Sequence, residues 1–314
     1  MTLGPNQYKD VQMMQKKITR RQAIFSLATI SAAAAIKPSS VFCSPVNDKI
    51  RFALIGDWGT GDRDSFGIAG KMLASHQRTA FDFVIAAGDN IYPNGSGRSF
   101  NKNFEQPFAG LLKDHVKFYA VLGNHDVREG RQDQCQYPLF NMSGQNYYKI
   151  SRGNGIAEFF MLDSTDFGAT QYGWLERSLR ESAAKWKIAV FHHPIYSSAG
   201  LHGSDMGLRK RLEPLFTRYG VNICFSGHDH VYERTVPQKG IQYFVSGAGG
   251  KVRRGDLERG SSLTAAGFDQ DNHYMVFEID DNEVKFEAIS ETGSVVDGGL
   301  IKQSPTASVL VEAS

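Results

Sequence analysis

Only three cysteines stand among the 314 residues, too few for a disulfide framework. Cys43 falls in the amino-terminal segment, which leaves Cys135 and Cys224; Cys224 lies inside the apolar run VNICFSG and reads as a buried free thiol. Long hydrophobic runs are missing too. The stretch from Ala23 to Ile36 is too short and too alanine-rich to span a hydrocarbon core of roughly 30 Å, which takes ~20 apolar residues. Net charge is small, +2, and its distribution argues against a nucleic-acid surface: residues 1–45 carry six basic side chains against Asp10, so the remainder is acidic by three. No internal repeat is visible, and the 32 glycines gather at strand ends rather than in a low-complexity tract. What remains is an ordinary globular composition, 41% hydrophobic and 22% charged, of a length for one large domain or two small ones.

The first 45 residues differ in character from the rest. TRRQAIFSLATISAAAAIK places Arg20 and Arg21 before the apolar run, a pattern that resembles a twin-arginine export signal, although Gln22 and Ala23 keep it only in part. The expectation is an export signal and linker over 1–45, and a protein exported to the periplasm or the extracellular space.

Further on, apolar runs of strand length recur: IRFALIG, FDFVIAAG, VKFYAVLG, AEFFMLD, KIAVF, VNICFSG, IQYFVSGAG, YMVFEID and VKFEAI. Two intervening stretches have helical periodicity. Gln171 to Ala184 carries Trp174, Leu175 and Leu179; Leu208 to Tyr219 carries Leu212, Leu215 and Phe216, with Gly220 as a stop. The early strands are continuously apolar, as when both faces are covered, and the last two alternate. An α/β layered fold with mixed sheets is predicted.

Several of these runs end in chemistry-bearing residues. LIGDWG delivers Asp57, AAGDNIY delivers Asp89 and Tyr92, VLGNHD delivers Asn124, His125 and Asp126, VFHHP delivers His192 and His193, and FSGHDH delivers His228, Asp229 and His230. One glycine–aspartate pair at a strand end is ordinarily a turn. Five strand ends supplying oxygen and nitrogen donors are another matter, because ligands of open α/β sheets bind outside the carboxyl ends of the strands. Six of the nine histidines fall between Asn124 and His230. The pattern spells a metal site distributed along the chain.

GDWG, GDNIY, GNHD, HHP and GHDH in this order resemble the calcineurin-like metallophosphoesterases, and the tyrosine after GDN narrows the likeness to the purple acid phosphatases, among which the chain resembles the small, tartrate-resistant-like forms. The resemblance implies a four-layer αββα sandwich of two mixed β-sheets, with one catalytic domain over 46–302 and a tail over 303–314. It implies that Asp57, Tyr92 and His230 bind a first metal, that Asn124, His192 and His228 bind a second, and that Asp89 bridges them. Fe(3+) is implied at the phenolate of Tyr92, with a divalent Fe, Zn or Mn beside it. The implied reaction is hydrolysis of small phosphate monoesters, with anhydrides as a further class, by metal-activated hydroxide. His125 is the implied proton donor and substrate contact, with His202 second and Asn124 also at the substrate. Asp126 and Asp229 read as supporting residues, and His193 as packed or near substrate. A phosphodiesterase with two divalent ions and a non-catalytic metal- or phosphate-binding protein are the alternatives. No nucleic acid or stable membrane association is expected, and the oligomeric state stays open.

Overall fold

The computed structural model describes residues 49–303. The expected export segment, and all of the expected tail but Gln303, lie outside the described residues. The described residues begin with β1 (Ile50–Ile55), α1 (Arg63–Arg78), β2 (Phe83–Ala86), α2 (Ala109–Lys113), β3 (Lys117–Ala120) and α3 (Arg131–Gln136). There follow β4 (Tyr148–Arg152), β5 (Ala157–Met161), α4 (Ala169–Glu181), β6 (Trp186–Val190), α5 (Met206–Tyr219) and β7 (Ile223–Ser226). Six strands close the described chain: β8 (Tyr232–Thr235), β9 (Gln242–Ser246), β10 (Thr264–Phe268), β11 (His273–Ile279), β12 (Glu283–Ser290) and β13 (Val295–Lys302).

The strands form two mixed sheets, ordered β13-β12-β11-β1-β2-β3 and β10-β8-β9-β7-β6-β5-β4. Strands β1, β2 and β3 are parallel in the first, and β5, β6, β7 and β9 in the second; antiparallel strands complete the flanks. Side-chain alternation sorts each central strand into two cores. Phe159 of β5, Ile188 of β6, Phe225 of β7 and Phe244 of β9 point into the space between the sheets. Their neighbours Phe160, Ala189, Cys224 and Tyr243 join Leu175, Leu179, Leu212 and Phe216 of α4 and α5 on the outer face. Between the sheets Phe52 of β1 meets Phe159 edge-on at 5.2 Å, and Phe225 meets Phe277 of β11 at 4.8 Å. On the other flank α1 buries Ile68, Ala69 and Met72, and Tyr274 of β11 hydrogen-bonds Ser75 at 2.6 Å. The result is the four-layer αββα arrangement, and Cys224 is buried and free.

Differences from the sequence expectation are local. Helix α4 starts at Ala169 and stops at Glu181, and α5 starts at Met206, where Asp205 caps it by accepting from the Leu208 amide at 2.8 Å. Helix α1 was not anticipated, because its inward stripe is mostly small (Ser65, Ala69, Ser75) while Phe66 is exposed. Strands β4, β8, β10 and β13 were also missed. Their sequences, YKISR, YERT, TAAGF and VVDGGLIK, lack an apolar run; β4, β8 and β13 pair with the more apolar β5, β9 and β12, and β10 pairs with β8.

Candidate metal centre

The parallel strands of both sheets place their carboxyl ends along a common rim. From β1 comes Asp57, from β2 Asp89 and Tyr92, from β3 Asn124 and His125, from β6 His192 and His193, and from β7 His228 and His230. Close approach of these turns requires glycine. A Cβ on Gly123 would lie 2.2 Å from Asp89 Oδ1, and one on Gly227 would lie 2.5 Å from Asp57 Oδ2.

The donor atoms converge in two triads. In one, Tyr92 Oη lies 3.1 Å from Asp57 Oδ1 and 3.3 Å from His230 Nε2, and the latter two are 3.4 Å apart. In the other, Asn124 Oδ1 lies 3.1 Å from His192 Nε2 and 3.0 Å from His228 Nδ1, and the two ring nitrogens are 3.2 Å apart. Asp89 sits between the triads: its Oδ1 is 3.6 Å from His192 Nε2, and Asp57, Asp89 and His192 offer donors within 4.8 Å of one another. Bonds of about 2.1 Å to a single ion set neighbouring ligand atoms roughly 3.0–3.4 Å apart in octahedral or tetrahedral geometry. The two triads have these edges.

Protonation agrees with the same use. His192 donates Nδ1–H to the Ala87 carbonyl at 2.9 Å, which leaves the Nε2 lone pair facing the site. Burial holds the His192 imidazole well below its ordinary pKa, and burial with neighbouring histidines brings His228 down to about 2; burial and nearby Arg253 and Lys251 bring His230 to about 4. All three are neutral donors. Asp57 is pushed well up by burial and then by the Asp89 charge, and Tyr92 by burial and then by Asp57 and Asp89. Among the described residues the ion-pair partners of Asp57 and Asp89 are histidines, with no lysine or arginine among them. A pair of buried carboxylates, a phenol and three lone-pair-bearing imidazoles are a donor set whose anions need cations, and the residues fit two metal ions.

Around the triads the supporting residues are specific. Asp126 is buried and accepts five N–H bonds: from Asn90 N, Asn90 Nδ2 and Gly123 N at Oδ2, and from Ile91 N and Gln134 Nε2 at Oδ1. It ties the β2 turn to the β3 turn. Asp57 Oδ2 accepts from the His228 amide at 2.7 Å, joining the two sheets. Asp229, between His228 and His230, is buried. Asn90, Gln134 and Ser164 were not singled out from sequence, since their partners are remote in the chain.

His125 packs against Tyr92 with ring centroids 4.6 Å apart and planes tilted by 56°; it donates Nδ1–H to the Pro93 carbonyl at 2.7 Å, and its Nε2 accepts from Arg128 at 3.3 Å. His202 is exposed and lies over His228 at 4.3 Å. His193 is half-buried, with its ring 4.5 Å from that of His228. Loops 197–204 and 251–263 are zipped together beside these residues: Gly200 donates to the Asp256 carbonyl at 2.7 Å, and Glu258 to that of Ser198 at 3.0 Å. Within them Lys251 Nζ sits 4.9 Å from the Tyr92 ring centroid, Arg253 faces Asp256 at 3.7 Å, and Arg254 bonds the Gln270 carbonyl. His273 packs inside, bonded to Ser246, and His76 packs on Phe81.

Residues 50–232 match the family described as calcineurin-like phosphoesterase. Purple acid phosphatase 17 of Arabidopsis thaliana is 32% identical over 243 residues, 66% of this chain and 70% of the relative. Tartrate-resistant acid phosphatase type 5 of Rattus norvegicus is 29% identical over 249 residues, 68% of this chain and 76% of the relative. Among solved structures, GAP50, the anchor in the inner membrane complex of Plasmodium, shares the fold at a TM-score of 0.73 and 20% identity, covering 82% of this chain and 90% of that one. The chain belongs to the calcineurin-like phosphoesterases and, within them, to the purple acid phosphatases, metal-dependent hydrolases of phosphoric esters.

Proposed function

We propose that Asp57, Tyr92 and His230 hold one metal ion, that Asn124, His192 and His228 hold another, and that Asp89 bridges the two. The observation that carries this is the pair of donor triads, each with edges of coordination length. Tyr92 supplies a hard anionic donor suited to Fe(3+), and the amide–imidazole triad suits a divalent ion, Fe, Zn or Mn. Two bound ions acidify water and neutralise charge on a phosphoryl group during in-line displacement.

The chain's own residues do the rest. The amide of His125 donates to Asp89 Oδ1 at 2.9 Å, fixing the bridging carboxylate. His125 lies beside the donor triads, with Nε2 3.9 Å from Asp89 Oδ2, and is assigned as the proton donor to the leaving alcohol and as a substrate contact. His202, whose ring is 4.3 Å from that of His228, and Asn124 are assigned as further substrate contacts. The substrates are small phosphate monoesters, with anhydrides as a second class. The catalytic domain spans 46–302, preceded by a twin-arginine export segment that delivers it to the periplasm or beyond. No helix among the described residues is long and apolar enough to cross a membrane.

The test is metal analysis with a visible absorption spectrum on protein purified without chelator, beside Tyr92→Phe. Two ions per chain and a broad visible band that disappears in the variant are expected. A colourless wild type with two divalent ions would overturn the ferric assignment, and fewer than two ions would overturn the two-site assignment.

A further inference from the structure

Two adjacent histidines of the HHP segment are held in opposite tautomers. His192 gives its Nδ1 hydrogen to the Ala87 carbonyl and keeps a lone pair on Nε2. His193 is governed instead by Ser164, in the turn after β5. The Ser164 Oγ accepts the His192 amide at 3.2 Å and the His193 amide at 3.0 Å. A serine hydroxyl has two lone pairs and one hydrogen, so both acceptor places are filled. The remaining hydrogen goes to His193 Nδ1, 2.9 Å away. Nδ1 is therefore an acceptor, and the neutral ring carries its hydrogen on Nε2.

A ring that bears hydrogen on Nε2 and is blocked on Nδ1 offers an oxyanion a donor and a metal nothing. The side chain is half-buried, one of its ring nitrogens lies within 4.8 Å of donor nitrogens of His192 and His228, and its ring centroid is 4.5 Å from that of His228. We propose that His193 contacts the phosphoryl group of the substrate through Nε2–H, and that Ser164 is the positioning residue that fixes this tautomer. The proposal rests on the phosphatase reading above. It gives the second histidine of the pair a task distinct from that of the first, and it makes Ser164 part of phosphate recognition through His193.

The experiment uses the metal-loaded full chain with p-nitrophenyl phosphate as substrate, inorganic phosphate as inhibitor, and metal analysis of every sample. Loss of one hydrogen bond to a charged group predicts that His193→Ala raises KM and the inhibition constant of phosphate together, by about tenfold or more, with a smaller change in kcat. His193→Gln, which keeps an N–H near the Nε2 position, stays within about threefold of wild type. Ser164→Ala shows an intermediate rise that Ser164→Thr reverses. In zinc-loaded, ¹⁵N-histidine-labelled protein, long-range proton–nitrogen spectra show His193 protonated at Nε2 in wild type and mixed in Ser164→Ala. Unchanged KM and phosphate inhibition in His193→Ala, loss of a metal ion on that substitution, or an Nδ1–H tautomer in wild type would each overturn the proposal. A wild type that holds two ions and cleaves no phosphoester would instead defeat the functional reading on which it rests.

Discussion

Asp126 is not among the proposed metal ligands, yet its replacement by asparagine should damage the site nearly as much as loss of a ligand. The buried carboxylate receives three N–H groups at Oδ2 and two at Oδ1. Burial and the neighbouring Asp89 charge push this carboxyl up to about 7. Five donors with no acceptor among its partners nonetheless favour the ionised form once bound metal offsets Asp89. Asparagine must turn an NH₂ toward one of the two groups. The cheaper choice puts it at Oδ1, where the Ile91 amide cannot move and Gln134 can flip only by giving up the bond its Oε1 accepts from Asn90 Nδ2 at 3.1 Å. One orphaned backbone N–H and one broken side-chain bond cost about 2–5 kcal/mol together. Against a total stability of about 5–15 kcal/mol the variant still folds, with Tm lowered by roughly 5–15 °C. Because the turns carrying Asp89 and Asn124 lose their common tie, metal content and kcat/KM fall as well. Thermal unfolding with metal analysis on the same samples reads both. A variant within about 1 kcal/mol of wild type that keeps two ions per chain would refute the role given to Asp126.

Two other perturbations probe the scaffold. Gly123→Ala places a methyl 2.2 Å from Asp89 Oδ1 and 2.3 Å from the Asp89 amide nitrogen, so the proposed bridging carboxylate is displaced; kcat/KM should fall on the order of a hundredfold, and activity at wild-type level would show that Asp89 does not bridge. Burial holds His273 at about 3 against an ordinary 6.5, so the unfolded chain binds a proton that the folded one refuses. Stability is therefore lost as pH falls through 6.5, by about 2 kcal/mol at pH 5, and His273→Gln should flatten the pH 7-to-5 slope of urea-unfolding free energy by that amount. An identical slope in both proteins would show that His273 is not the group responsible.

Much of this rim was legible in sequence because four of the proposed ligands obey a local rule: Asp57, Asp89, Asn124 and His228 each follow a glycine at the end of an apolar strand. Tyr92, His192 and His230 follow no glycine, and the proposed choice of His192 over His193 rests on bonds that sequence does not show, from His192 Nδ1 to the Ala87 carbonyl and between His193 Nδ1 and Ser164. The strands announced themselves where both faces are buried, as in β5, β6 and β7. Strand β8 could not: its Glu233 is fully buried and satisfied by Ser198 and Thr264, partners 35 and 31 residues distant. Asn90, Arg128 and Ser164 are hidden for the same reason. Their significance lies in which turn folds beside theirs, and nothing in the flanking residues encodes that.

The same turns carry strain that sequence does not display. Asp57, Asp89 and His228 adopt left-handed backbone, with φ of 55°, 49° and 71°. Such non-glycine conformations cost on the order of 1–3 kcal/mol each and persist only where the surroundings over-determine them. Here the turns determine one another. The Asp57 amide donates to the Gly88 carbonyl at 3.0 Å, the His228 amide to Asp57 Oδ2, and the His125 amide to Asp89 Oδ1. Each bond runs from one strand end to another, and the one from His228 crosses between the sheets. The backbone that aims the donors is thus braced by the donors' own carboxylates, so that the strained turns and the donor geometry stand or fall together. Replacement of Asp57 or Asp89 should therefore disturb both triads at once, which is why metal stoichiometry, rather than occupancy of a single site, is the sensitive readout for variants of these two carboxylates.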